Sequence, residues 1–389
     1  MSKKKILFVV QHLTVGGVQK SLVSALGAIN YDKYDVTLYV RKNRLDIADY
    51  IDKHVNIVAN TIEKHYYREI LAIALQFKIF ALKLLNRRQE CQRAKKQLSD
   101  YIVKKMMEDE SEKYFKYEKY DIAISYVQSI TAMFVNNYVK ADKRIVFYQG
   151  STDEYHDINA TMLPKFDKVV VEHNDIKKLL LKWYDDLKLE QIIVLANYTD
   201  SEFLKRQSAE IKKENNKTIL CTCARFSSVK GIDLAVESAK ILKNKGYNYL
   251  WYMVGDGPEM DNIKSLTDKY DLSDCIKLTG MQKNPYPYMS ACDIYVQPSR
   301  EEALSIAMLE SQILCAPMIS TKTAGGLAMI QNGVNGLLAD INPQSLADEI
   351  EKLITNDDLR NRIKHNLSSI DYTAEKERYK SDWENLLEK

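Results

Sequence analysis

Short apolar runs recur along this chain, each bounded by polar or glycine-containing turns and many followed by a stretch of helical spacing. In the first half, Lys5–Val10, Tyr34–Val40, Asp121–Tyr126, Arg144–Tyr148, Lys168–Val171 and Gln191–Leu195 read as strands, and Gln19–Ile29 as a helix. After a polar, charged stretch at Asn197–Lys217, expected to be a linker, the alternation resumes. Strands are predicted at Thr218–Cys223, Tyr249–Val254, Cys275–Thr279, Ile294–Val296 and Met318–Ser320, with helices at Leu234–Lys243 and Met260–Lys269. Such βα alternation predicts an α/β protein with doubly wound parallel sheets. Two such halves in tandem predict domains over 1–200 and 201–372, with a cleft between their carboxyl-end loops, where open α/β sheets bind ligands. The last segment, 373–389, carries Tyr379, Trp383, Leu386 and Leu387 at helical spacing and is expected to pack back toward the first domain.

Composition narrows the class. A chain of 389 residues, 46% hydrophobic, can bury large cores, and a net charge of +3 argues against wholesale nucleic-acid binding. Its six cysteines show no CxxC pair and no ligand spacing with histidine, which favours reduced core thiols and a cytoplasmic protein without structural zinc. The basic start MSKKK leads into a short apolar run that Gln11-His12 interrupts, so it reads as a first buried strand rather than a signal peptide. No apolar run reaches membrane-spanning length. Charge is uneven, however: residues 64–105 hold 11 Lys and Arg against 3 Asp and Glu, around the apolar stretch Ile70–Leu85. Three readings of that segment stand open: a helix with a solvated basic face, a helix lying on an anionic membrane surface, or a nucleic-acid patch. Its aromatic residues are not interleaved for base stacking, which counts against the third.

Candidate chemistry concentrates in the second half. Residues 297–311, QPSREEALSIAMLES, follow a strand, and Glu302 and Glu310 stand with seven residues between them across a loop–helix junction, with Glu310 expected about two turns into the helix. Helix N-termini attract phosphate through unpaired amides and a positive dipole end. A carboxylate beside such a place suits hydroxyl groups, and the combination suggests a nucleotide-sugar. The loop ARFSSVKGID adds Arg225 and Lys230, a fork and a point charge suited to a diphosphate. GDGP at 255–258 and TKTAGG at 321–326 also follow strands, and Gly16-Gly17 opens the first helix, where backbone can approach a phosphate or sugar. The spacing is not GxGxxG, so a nicotinamide cofactor is not expected. No strand is followed by DxD, so no divalent metal is expected either. His12 adjoins the Gly16-Gly17 loop.

These segments, in this order and spacing, resemble the GT-B retaining glycosyltransferases of family 4, most specifically over 218–340. The resemblance implies two Rossmann-like domains facing across a cleft. It implies metal-independent transfer of a hexose, with retention, from a UDP- or GDP-sugar to a hydroxyl of a glycan acceptor. It assigns Glu302, Arg225 and Lys230 to the reacting end of the donor. Gly16, Gly17, Gly255, Met281, Gln282, Glu310 and the amides of Ala303, Leu304 and Ser305 would bind the donor, with Glu310 on the ribose. His12 and Gln149 fall on the acceptor side, Gln149 standing where the family usually has histidine. Ala303 replaces a usual glycine, and Met329 a usual glutamate. By analogy the acceptor is a lipid-linked glycan of a bacterial surface polysaccharide such as capsule or O-antigen, and the protein is cytoplasmic, peripheral on the inner membrane face. The departures also admit a catalytically weak nucleotide-sugar-binding partner of another transferase, and the fold admits an epimerase or phosphorylase.

Overall fold

The computed structural model describes residues 3–62, 88–150, 156–208, 217–302 and 305–388. The apolar stretch Ile70–Leu85 therefore lies outside the described residues. Contacts divide the chain into two compact units: Met1–Thr14, Ile29–Ala196 and Asp382–Lys389 form one, and Val15–Ala28 with Asn197–Ser381 form the other. The contacts thus break at Ala196/Asn197, where the sequence reading placed the boundary at 200/201. They also assign the first helix, α1 (Gly17–Gly27), to the second unit.

The first unit is built on seven parallel strands: β1 (Lys4–Val10), β2 (Tyr34–Val40), β3 (Val55–Ala59), β4 (Tyr120–Ser125), β5 (Ala141–Phe147), β6 (Lys168–Val171) and β7 (Ile192–Val194). Their order is β3-β2-β1-β4-β5-β6-β7, so the chain reverses direction across the sheet between β1 and β4. β3 was not foreseen; VNIVA is short and only its first residue is fully buried, so it lacks the long apolar run of its neighbours. A long helix, α2 (Arg88–Tyr114), precedes β4. Its inner end is fixed by Glu110, 1% exposed, whose carboxylate takes two hydrogen bonds from buried Arg41 at the end of β2, at 2.8 and 3.0 Å. The Arg41 guanidinium also lies over the Phe134 ring, 4.7 Å from its centre. The end of the C-terminal helix completes this unit: Trp383 is buried between Phe8 and Phe147, with ring centres 5.9 and 5.5 Å away.

The second unit holds six parallel strands: β8 (Thr218–Cys223), β9 (Tyr249–Val254), β10 (Ile276–Gly280), β11 (Ile294–Gln297), β12 (Met318–Thr321) and β13 (Gly336–Ala339), in the order β10-β9-β8-β11-β12-β13. Both faces are covered. One apolar cluster joins Trp251, Val296 and Ile350, the other Leu250, Tyr295 and Met308. A sheet buried on both faces requires near-continuous apolar strands, which is why the sequence shows runs rather than alternation. The expected linker is in part a helix: Ser201–Gln207 is capped by the Asp200 side chain and inserts Leu204 into the second cluster. One apolar residue per turn in a charged segment is a weak periodic signal.

The Arg41–Glu110 pair supplies a test. Removing one member of a buried ion pair leaves an uncompensated charge, so Glu110→Ala should cost about 3–5 kcal/mol. Replacing both members with apolar residues of similar volume (R41M with E110L) should recover most of that loss in urea denaturation. Equal destabilisation by the single and double variants would contradict this account.

Candidate functional site

The order of the second sheet reverses between β8 and β11, and the loops leaving these two strands flank that switch point, where open α/β sheets form a crevice. The first loop carries Arg225 and Lys230; the second carries Glu302. They are tied together at several points. Arg300 grips Asp233 with two hydrogen bonds of 2.8 and 2.6 Å and donates a third to the Ser228 carbonyl. The Arg300 amide donates to the Val229 carbonyl at 2.7 Å. Burial alone would push the Asp233 carboxyl up, yet the hydrogen bonds and charge of Arg300 hold it below its usual value.

Gly231 makes the approach possible. It has φ +62°, and a Cβ there would lie 2.1 Å from the Pro298 carbonyl oxygen. Gly255 (φ +143°) is as constrained, with the Ala224 carbonyl oxygen 1.9 Å from a built Cβ. Its amide donates to the Gly280 carbonyl at 3.0 Å, so the GDGP turn sits between the β8 and β10 ends.

Lys230 Nζ donates to Glu302 Oε2 at 2.7 Å. The same oxygen accepts from Ser299 Oγ at 3.2 Å and from Gln297 Nε2 at 3.3 Å. The Gly325 amide donates to the Glu302 carbonyl at 2.7 Å, which adds the short helix after β12, Ala324–Met329, to the assembly. Arg225 is exposed and has no carboxylate partner among the described residues. Ser305 caps the following helix, Ile306–Ile313, by accepting from the Met308 amide. Ala303 and Leu304 lie outside the described residues.

Glu310 stands just over one turn into that helix, not two, because the helix begins only at Ile306. It is 1% exposed. Its carboxylate accepts from Lys20 Nζ at 2.8 Å on each oxygen and from the Tyr286 hydroxyl at 2.9 Å. Lys20 belongs to α1, one turn beyond Gly16-Gly17, and Gly17 lies beside the Ile306 side chain. Met281 is exposed, and the Gln282 side chain bonds back to the Thr279 carbonyl at 2.8 Å. Neither Cys221 nor Cys223 is poised as a thiolate, since burial pushes the Cys223 thiol up to about 11 and the Cys221 thiol also well above its ordinary value.

In the first unit, His12 Nδ1 lies 2.8 Å from Thr14 Oγ1. Gln149 is held through its backbone: its amide and carbonyl pair with the Gln128 side chain at 2.9 and 2.8 Å. Sequence reasoning missed Lys20, Tyr286, Gln297, Ser299 and the Arg300–Asp233 clamp. Of these only Gln297 carried a signal, as a polar residue closing an apolar strand.

Residues 204–368 match the family described as Glycosyl transferases group 1. The match spans the second sheet and both of its switch-point loops. The lipopolysaccharide core biosynthesis glycosyltransferase LpsE of Rhizobium meliloti is 29% identical over 175 residues, 44% of this chain and 50% of LpsE. The chain spans about half the length of the curated relatives it matches. Among solved structures, a mutant of S. aureus TarM in complex with Fondaparinux, alpha-GlcNAc-glycerol and UDP superposes with a TM-score of 0.72 at 16% identity, covering 99% of this chain and 100% of TarM. Anabaena Alr3699/HepE with UDP-glucose gives 0.71 at 16% identity, covering 99% of each chain. The fold, two Rossmann-like domains with parallel sheets, is GT-B.

The glycine contact can be tested against a control. Gly246 has φ +82° with open space around it, so Gly246→Ala should cost about 1–2 kcal/mol through backbone strain alone. Gly231→Ala adds a backbone collision and should lose at least twice as much in urea denaturation; equal losses would rule out the close approach. His12 should titrate below its ordinary 6.5, because burial first, then the Lys42 and Arg44 charges, disfavour the protonated ring. The unfolded chain then binds more protons beneath that pH, so this contribution to stability is complete above it and is lost as pH falls. An NMR titration checks the midpoint, and a value at or above 6.5 would contradict the assignment.

Proposed function

We propose that this chain is a retaining, metal-independent glycosyltransferase. It moves a hexose from a nucleoside diphosphate sugar to a hydroxyl of a glycan acceptor. The observation that carries the reading is the switch-point cluster. There Arg225, with no carboxylate partner among the described residues, stands on the same loop as Lys230, which is paired with Glu302. LpsE is named as a glycosyltransferase of lipopolysaccharide core biosynthesis, and TarM and HepE were solved with UDP and UDP-glucose, which supports the same donor class.

The barrier is breakage of the bond between the anomeric carbon and the diphosphate, which leaves with the electron pair. Arg225 and Lys230 meet the charge that grows on it, a preorganised electrostatic effect that needs no metal. Glu302 takes a sugar hydroxyl, and Glu310 the ribose. The acceptor oxygen forms the new bond to the anomeric carbon, and its proton passes to the leaving diphosphate, so no side chain has to act as base. His12, whose protonation its burial and the nearby Lys42 and Arg44 charges disfavour, and Gln149 serve as hydrogen-bonding groups on the acceptor side.

The acceptor we propose is a lipid-linked glycan of a surface polysaccharide, with the basic 64–105 segment as the contact to an anionic membrane. No helix among the described residues is long and apolar enough to cross a membrane. Flotation with anionic and neutral liposomes tests this; binding to neither would favour a soluble acceptor.

A thermal-shift screen with UDP, GDP and their sugars identifies the donor, since a ligand of the folded state raises apparent stability by mass action. With that donor, Arg225→Ala and Glu302→Ala should each lower turnover by about 100-fold or more; exposed Arg225→Ala should melt near the parent, and Glu302→Ala below it but still cooperatively, because Lys230 and Gln297 lose their partner. Near-parental turnover in either variant would remove that residue from the site.

A further inference from the structure

Gln297 closes strand β11 and is only 2% exposed, the one strongly polar side chain in the run Ile294–Gln297. A buried primary amide is costly unless its donors and acceptor are met, and here they are met in a definite sense. Its Oε1 lies 3.0 Å from the Tyr295 hydroxyl, whose proton is directed between this oxygen and the Cys223 carbonyl at 3.2 Å. With the carbonyl end of the amide so engaged, Nε2 faces outward. It donates to Ser299 Oγ at 2.9 Å and to Glu302 Oε2 at 3.3 Å. Ser299 Oγ reaches the same Oε2 at 3.2 Å, and Lys230 Nζ at 2.7 Å.

Three donors therefore converge on one carboxylate oxygen. The other, Oε1, takes no hydrogen bond from any described residue. The carboxylate is anchored by one oxygen and presents the second.

We propose that Gln297, fixed by Tyr295, is a positioning residue that sets the plane of the Glu302 carboxylate so that Oε1 accepts a hydroxyl of the donor sugar. This rests on the glycosyltransferase reading above and deepens it. Lys230 alone does not define that plane, because an ammonium on a flexible stem is a point charge, satisfied at many carboxylate rotations. The Gln297 amide, rigid and immobile in the strand, gives the direction that the lysine lacks.

The test uses Gln297→Met, near in volume and without polar hydrogens, beside Gln297→Glu, which keeps an acceptor for Tyr295 and sets a second carboxylate against Glu302. UDP and GDP binding is measured by calorimetry, and transfer from the donor identified above by initial rates. Gln297→Met should bind the nucleotide within about twofold of the parent, melt within a few degrees of it, and lose about 10-fold or more in kcat/KM for the sugar nucleotide. Gln297→Glu should lose more. Unchanged kcat and KM in a folded Gln297→Met would overturn the proposal, and so would an equal loss of nucleotide binding and transfer, the mark of a purely structural role. Absence of transfer by the parent protein would count against the enzymatic reading instead. In that event a crystal structure of Gln297→Met decides: a rotated Glu302 carboxylate upholds the positioning role, and an unchanged one overturns it.

Discussion

Lys230 and Glu302 meet because the backbones beneath them are stitched into one piece. The two loops leave adjacent strands, β8 and β11, and strand spacing alone would let their tips diverge. Arg300 prevents that by gripping Asp233 with both arms of its guanidinium while its own amide bonds the Val229 carbonyl. The left-handed turn at Gly231 then brings the chain against the Pro298 carbonyl, an approach that only a residue without Cβ permits. The pairing of Lys230 with Glu302 and the tie from Glu302 to Gly325 both depend on that stitching. Fixed charges act on a developing charge only if they need not move to meet it. A clamp made of a bidentate ion pair and a glycine contact supplies that rigidity.

Glu310 presents the opposite arrangement. A carboxylate has about four lone-pair directions, and in this structure Lys20 and Tyr286 already occupy three contacts on it. Burial to 1% exposure makes those contacts obligatory, because an unmatched buried charge would be far more costly than a lost hydrogen bond. A ribose held by Glu310 therefore has to share the carboxylate with Lys20 or displace it. The two glutamates of one sequence motif thus differ physically: Glu302 offers an oxygen that no described residue occupies, and Glu310 offers one whose partners must yield.

The fold was largely legible because both sheets bury two faces, and long apolar runs announce such strands. Every strand read in advance lies within a few residues of its observed range. The misses, Val55–Ala59 and Gly336–Ala339, sit at sheet edges, where short strands need fewer apolar residues. Ser201–Gln207 was hidden by its charge, since a single buried leucine, Leu204, fixes it. The candidate site was legible in its loops but not in its wiring. Glu302, Lys230 and Arg225 stood out as charges after strands, yet their mutual pairing depends on the adjacency of β8 and β11, strands that bond across 74 positions of sequence. Lys20 was invisible for the same reason, being 290 residues from its partner.

Stability is a poor explanation for these pairs. Taking an ammonium and a carboxylate out of water costs several kcal/mol per ion, and apolar residues of similar volume often do as well or better. The Arg41–Glu110 pair has a structural role, since it joins the end of a helix to the end of a strand. Lys230–Glu302 has no such excuse: Arg300–Asp233 already joins the same two loops through a larger and better-matched contact. A second, lone-ammonium pair adds little rigidity to loops already clamped. What it does add is a cation and a carboxylate of fixed position at a sheet's switch point, and those are useful only to something that is bound there.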